Sequence, residues 1–406
     1  MNLYKVIICV ATILYALFIF TYPASYFNDD ALFLARGIDN FSVIDFSPHF
    51  PGYPFIILAG KFINLFVHDS QFSLFILTSF CAIFLPLVLF LYVKSLINEK
   101  VAFYAFLLAL SSPYLVNLSL SMLSDSVGLF FLFLGLYLLQ INRHKGAGIV
   151  LSIAFFSRPS YIIFYLVGFL YLLVVKKESL KPLLSWFFIT SLVFITYLFL
   201  SNGMLYWYEA QRFITGHFSL WGTGQNSPIT WVDNIFTVAN IPFLLLGYSF
   251  YKYEKKFNLL VLLFCAYLVW ILLAQNPDNI RHLIPLIFIA TILIAKVLEN
   301  FKSFVILMII FNVYTLSVYT QKLSPIDQIM QEIDDKERIV LSNRSIEILR
   351  KNLTNGISDS YYINNTNYLL TNKKTYHITT IKPENGVFMA FNGRFIGEHT
   401  FYLLKN

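Results

Sequence analysis

From residue 3 to about residue 320 this chain returns again and again to uninterrupted apolar runs, several long enough to cross about 30 Å of hydrocarbon. In lipid, every backbone N–H and C=O must find its partner inside the protein, which leaves helices or a closed barrel. Barrel strands alternate in polarity over about 10 residues, and these runs do not alternate, so the barrel is excluded. Only 13% of the residues are charged and 58% are hydrophobic. A soluble domain carries about a quarter charged residues. The 406-residue chain therefore reads as an all-α polytopic membrane protein.

Spans are expected at about 3–22, 71–93, 101–120, 126–141, 147–157, 159–175, 183–201, 232–251, 258–275, 282–300 and 303–320, about eleven in all. Met1 to Phe20 is expected to be an uncleaved span, because Pro23-Ala24-Ser25 is a poor signal-peptide cleavage site. The run 53–67 holds Lys61 and Asn64 and is short. If it does not cross, the loops Lys94…Lys100, Arg143-His144-Lys145, Lys176-Lys177…Lys181, Lys252…Lys256 and Glu299…Lys302 share one side, as the positive-inside rule demands. If it crosses, the rule fails at each of them. Residues 53–67 are thus expected to form an outer-side juxtamembrane helix lying in the interface. The net charge of +7 is accounted for by these loops and implies no nucleic-acid partner. Cys9, Cys81 and Cys265 lie in apolar runs and have no metal or disulfide spacing.

This topology puts every unusual polar cluster on the outer side: Asp29-Asp30, His49, Asp125, Arg158, the loop 202–230, and Asp278 with Arg281. The arm 147–157 is too short to span, so the turn Ser157-Arg158-Pro159 should sit below the outer surface. An arginine at that depth needs a water-filled cavity or an anionic partner. Residues 324–406 are polar and follow the last span. Strands are expected at 337–342, 375–381, 386–391 and 400–404 and a helix at 345–351, which makes a small α/β extracytoplasmic region beside a transmembrane domain of residues 1–323.

Each candidate has an ordinary reading beside the functional one. Asp29 and Asp30 also suit the cap and first turn of a helix. His49, framed by prolines in Ser47-Pro48-His49-Phe50-Pro51-Gly52-Tyr53-Pro54, also suits a plain surface hydrogen bond. Asp125 suits an N-cap. Arg281 can snorkel. Glu209 and Arg212 lie among Tyr206, Trp207, Tyr208, His217, Trp221 and glycines 222–224, a composition suited to sugar stacking or to an interfacial belt. Taken together they describe one outer cavity of carboxylates, arginines and aromatics. There is no P-loop, no metalloprotease helix motif, no Cys/His zinc cluster and no G-x-S-x-G.

The order of these features over residues 1–300 resembles the GT-C class of membrane glycosyltransferases, in particular the protein mannosyltransferase and lipid A aminoarabinose transferase branch. Asp29 falls on the family's catalytic acid and Asp30 on the Glu that follows it. His49-Phe50-Pro51 falls on a His/Lys-Pro-Pro turn and Asp125 on the acid opening the fourth span. Ser157-Arg158-Pro159 resembles a Lys-Gly-Pro turn, and Arg281-His282-Leu283-Ile284-Pro285 an Arg-Tyr-Leu-Leu-Pro segment. The chain departs at Asp30, where Glu is usual, and at Phe50, where proline is; residues 324–406 match nothing in the family.

The resemblance implies transfer of a sugar from a polyprenyl-phosphate donor to an acceptor hydroxyl, with inversion, at the extracytoplasmic face of the membrane. The acceptor would be a glycan, lipid or protein. Asp29 would be the base, with Asp30 raising its pKa, and Arg158 and Arg281 would stabilise the departing phosphate. His49, Asp125, Glu209 and Arg212 would bind substrate. A divalent metal is left open, with Asp29 and Asp125 as its candidate ligands. The rival reading is a transporter or flippase of a lipid-linked or anionic substrate, which requires ionisable residues near the bilayer midplane and access from both sides; a non-catalytic scaffold is a third.

Overall fold

The structure, a computed structural model, describes residues 3–175, 180–221, 229–252, 254–333, 339–353, 356–358, 375–384 and 388–405. Helix α1 (Leu3–Ile19) leads to α2 (Asp29–Asp39), α3 (Pro54–Val67) and α4 (Ser70–Leu96). Then come α5 (Glu99–Leu110), α6 (Pro113–Leu120), α7 (Ser124–Gln140), α8 (His144–Ser157), α9 (Ile162–Val174), α10 (Lys181–Asn202) and α11 (Leu205–Trp221). Helices α12 (Trp231–Ile235), α13 (Leu245–Tyr251), α14 (Asn258–Ala274), α15 (Ile284–Val297) and α16 (Lys302–Leu316) complete the apolar part.

Three helical runs among the described residues are long and apolar enough to cross a membrane: Ser70–Leu96, Lys181–Asn202 and Ile280–Asn300, the last being α15 with a 3-10 turn at each end. Burial separates their roles. Most of α4 and of Ile280–Asn300 is enclosed by other helices. By contrast α10 exposes Phe188, Leu192, Val193 and Leu200, as a surface turned to lipid requires. The remaining apolar helices are 10–17 residues long, so the structure does not establish eleven spans. The expected span 101–120 is broken: α5 and α6 meet at 61°. Pro113 cannot supply the N–H that a continuous helix needs, and Ser112 caps the new helix by accepting from the Tyr114 amide. The run 53–67 does form a helix, α3, with Phe62, Leu65 and Phe66 exposed.

After α17 (Pro325–Glu332) come β1 (Ile339–Ser342), α18 (Ile346–Asn352), β2 (Gly356–Ser358), β3 (Thr375–Thr379), β4 (Phe388–Phe391) and β5 (Phe401–Lys405). The sheet order is β2-β1-β3-β5-β4. Strand β1 lies parallel to β2 and β3, with Val340 opposite Gly356 and Tyr376. Strand β5 lies antiparallel to β3 and β4, with Leu403 opposite Ile378 and Met389. Parallel neighbours need a crossover, and α18 provides it between β1 and β2. The expected strands and helix correspond to β1, α18, β3, β4 and β5, while β2 was not anticipated. Residues 337–338 and 386–387 of the expected strands lie outside the described residues. The buried side chains of this unit, among them Ile346, Ile348, Leu349, Tyr376 and Phe395, share one core with Ile19, Leu32, Ile38 and Ile57 of α1–α3.

Close approach of α7 to the turn after α8 depends on Gly128. A Cβ there would stand 2.4 Å from the Arg158 Cβ. Gly128→Ala should therefore lower stability by about 1–3 kcal/mol through overpacking. Gly168→Ala in α9, where a Cβ meets nothing within 4 Å, should be neutral or stabilising. Thermal unfolding of both variants in detergent checks this: equal midpoints would refute the packing argument.

Candidate active site

Helix α2 opens with Asn28 as its cap, the side chain accepting from the Ala31 amide at 3.3 Å, and carries Asp29 and Asp30 in its first turn. Adjacent residues on a helix do not share a face, and here the two acids diverge. Asp30 turns toward Arg281, its Oδ2 accepting from Nη2 at 3.0 Å. Asp29 turns the other way and is 5% exposed; its Oδ1 accepts from the Ile348 amide at 3.1 Å, in the first turn of α18.

Asp125 enters from α7. Its expected role as an N-cap is not what the structure has: Leu123 takes the cap position and no side chain caps that helix. Instead Asp125 Oδ1 lies 3.1 Å from Arg158 Nη2, and Oδ2 lies 3.9 Å from Arg281 Nη1. The anionic partner that an arginine in the 157–159 turn requires is thus Asp125. Arg158 also donates to Ser124 Oγ at 3.1 Å. The charges alternate: Asp30, Arg281, Asp125, Arg158. Both arginines keep a buried Nε–H that finds no hydrogen-bond acceptor among the described residues.

His49 completes the group. Its loop is pinned by the Ser42–Ser47 bridge, by the Val43 amide donating to Asn202 Oδ1 at 2.8 Å, and by the Gly52 amide donating to the His49 carbonyl at 3.0 Å. His49 Nδ1 lies 3.8 Å from Asp30 Oδ1, and Nε2 lies 3.3 Å from the Tyr53 hydroxyl. Phe213 stacks on the imidazole, with centroids 5.0 Å apart. A cavity of about 10 Å³ sits among Asp30, Leu34, His49, Tyr53, Leu123, Ser124, Arg158 and Arg281, room for about one water. Asp29 does not line it.

Electrostatics follow the geometry. Burial lowers the pKa of His49 against the opposing pull of Asp30, so the ring is neutral at neutral pH. Burial also acts to raise Asp30, but His49 and Arg281 outweigh it and hold the carboxyl below its ordinary value. With His49 neutral, the guanidinium is the charge that acts. Burial pushes Asp29 up to about 7, although the Ile348 and Glu347 amides work against it.

Glu209 and Arg212 do not join the cavity. They pair with each other along one face of α11, Arg212 Nε to Glu209 Oε1 at 3.0 Å. The expected loop 202–230 is largely this helix, and glycines 222–224 lie outside the described residues. Its inner face carries Tyr206, Ala210, Phe213 and His217, a helical spacing that would have found Phe213. Tyr53 and Ser124 carried no separate signal. Among the described residues no three of His, Cys, Asp and Glu gather as a metal would need. Asp29 and Asp125, the candidate ligands, face different partners and do not form one ligand set.

A family model, dolichyl-phosphate-mannose-protein mannosyltransferase, matches residues 48–207. That stretch holds His49, Asp125 and Arg158 and stops short of Asp29, Asp30 and Arg281. No curated protein sequence matches the chain. Among solved structures it is similar to the oligosaccharyltransferase of Archaeoglobus fulgidus, crystallised with Zn and sulfate, at 12% identity and a TM-score of 0.49. The similarity covers 83% of this chain and 60% of that one, so the chain spans about 60% of that protein's length.

Asp29 yields a pH test. A carboxyl whose folded pKa lies above its unfolded value of 3.8 keeps its proton in the folded state after the unfolded chain has lost it. Its contribution is full below about pH 4, falls by about 1.4 kcal/mol per unit as pH rises, and stops changing above about 7. Asp29→Asn should flatten the thermal midpoint over that window, and an unchanged slope would rule Asp29 out as its source. Over residues 48–207 the match agrees with the resemblance that the order of motifs carries, to the membrane glycosyltransferases of the GT-C class.

Proposed function

We propose that this protein moves a sugar from a polyprenyl-phosphate donor to an acceptor hydroxyl on the extracytoplasmic side of the membrane, with inversion. One observation carries the proposal: Asp30, His49, Arg158 and Arg281, from four separate segments, line one cavity, and Asp125, from a fifth, pairs with both arginines. An acid paired with fixed cations is what displacement of a phosphate by a hydroxyl needs.

The donor phosphate competes with Asp30 for Arg281, whose spare Nε–H, like that of Arg158, offers a further donor. Released from its partner, Asp30 takes the acceptor proton as the acceptor oxygen bonds to the anomeric carbon and the sugar–phosphate bond breaks. The electron pair of that bond leaves with the phosphate, held by Arg281 and Arg158. His49, neutral and stacked on Phe213, orients Asp30. The base is thus assigned to Asp30, which lines the cavity, rather than to Asp29, which faces the Ile348 amide. A site with room for one water must open to admit substrate, and breaking the Asp30–Arg281 pair is that opening. The outward side rests on the positive-inside pattern of the loops.

Asp30→Asn should lower transfer by about 10²–10⁴-fold, and Arg281→Lys should weaken it by removing the forked donors. The check is mass spectrometry of polyprenyl-phosphate sugars in membranes carrying wild type or Asp30→Asn. One such lipid should accumulate in the variant. Identical profiles, with no transfer by purified wild type from any of these lipids, would overturn the reading.

A further inference from the structure

The turn between β1 and α18 touches the membrane part at two places, and each lies beside one partner of the Asp30–Arg281 pair. Arg344, in that turn, is bonded through Nη2 to Asp278 Oδ2, and His399 Nε2 lies 3.8 Å from the same oxygen. Asp278 is three residues from Arg281 and is itself fixed, its amide donating to Asn276 Oδ1 at 3.0 Å. The carbonyl of the preceding Pro277 accepts from Asn234. Four residues after Arg344, the Ile348 amide donates to Asp29, the immediate neighbour of Asp30. Glu347 adds an ion pair to Arg36 of α2 at 3.3 Å.

The turn is built to hold this shape. The Ser342 hydroxyl donates to the Arg344 carbonyl at 2.6 Å and accepts from the Arg344 amide at 3.3 Å. Ser345 has φ of +52°, a left-handed conformation that swings the chain directly into α18. Seven residues thus tie the start of α2 to the segment 276–283, two stretches some 250 positions apart in sequence. Arg344 and Asp278 are both largely buried, at 11% and 3% side-chain exposure. Little water reaches their bond, so screening there is weak.

We infer that residues 342–348 are a clamp that sets the spacing of Asp30 and Arg281, with Arg344 as its positioning residue. The inference rests on the proposed function, because it makes the C-terminal unit part of the transfer machinery without touching substrate. Catalytic geometry is sensitive at this scale: a misplacement of about 1 Å from a remote change can cost about a hundredfold in rate.

The test uses the full chain in lipid nanodiscs and has two arms. In the first, hydrogen exchange is compared for wild type, Arg344→Ala and Arg344→Lys. Segments 27–36 and 276–283 should exchange faster in Arg344→Ala, with α4 unchanged and Arg344→Lys near wild type. Unchanged exchange in those two segments, or faster exchange throughout, overturns the clamp. In the second, transfer from polyprenyl-phosphate mannose is measured. Arg344→Ala should lower kcat about tenfold to a hundredfold with KM nearly constant, and Arg344→Lys should recover most of it. Asp278→Asn should match Arg344→Ala, and the double variant should lose no more. An unchanged kcat overturns the positioning role. If wild type transfers neither this sugar nor any other, the proposed function fails, and the exchange arm still decides whether the clamp exists.

Discussion

The pairing of half-buried Asp30 with buried Arg281 is the contact on which the site depends. Moving a carboxylate and a guanidinium out of water is costly, and only a partner offsets the cost. The structure answers with a chain of alternating charges, Asp30, Arg281, Asp125 and Arg158, in which each inner member has a neighbour of opposite sign on both sides. Removing Asp125 would leave the buried Arg158 without an opposite charge, a loss of about 3–5 kcal/mol in comparable cases. The chain also explains why the helices around it meet as they do. Arg158 can reach Asp125 only because Gly128 lets α7 and the turn after α8 touch. The segment before α15, which carries Arg281, is held by Asn234, Asn276 and Arg344.

Much of this was legible in the residues themselves. The apolar runs specify helices because lipid offers the backbone no other partner. The short arm before Arg158 called for a water-filled cavity or an anionic partner, and Asp125 lies 3.1 Å from its guanidinium. Asp30, His49, Asp125, Arg158 and Arg281 could each be marked as out of place in a membrane protein. Topology put them on one side and suggested a shared cavity, but which acid pairs with which arginine could not be read, because it depends on which helices pack together and not on spacing along the chain. The separation of Asp29 from Asp30 follows from one fact of helix geometry, that neighbours point about 100° apart. Even so, which acid faced the cavity required the tertiary structure. Glu209 and Arg212 misled for a related reason: on a helix three residues apart they satisfy each other.

The C-terminal unit is the part composition described least well. Its strands and its helix could be placed as a small α/β region, but not what it packs against. In the structure it shares a core with α1–α3 and anchors into them through buried polar bonds. Arg394 is fully buried against Glu398 and donates to the Ser25 carbonyl at 3.2 Å. The Asn117 side chain donates to the Ile396 carbonyl at 2.8 Å. Contacts of this kind are invisible in a single sequence because neither partner is unusual alone.

The size of the cavity has a kinetic meaning for a transferase. A glycosyl donor can be spent on water as readily as on an acceptor, because both present a hydroxyl. A resting volume of about 10 Å³, closed by its own ion pairs, gives solvent no reservoir beside the reacting carbon. On the proposed function, space appears only as substrate prises the charges apart, and substrate then fills what it has opened. Fidelity toward the acceptor, rather than speed, is what such a tightly shut site favours.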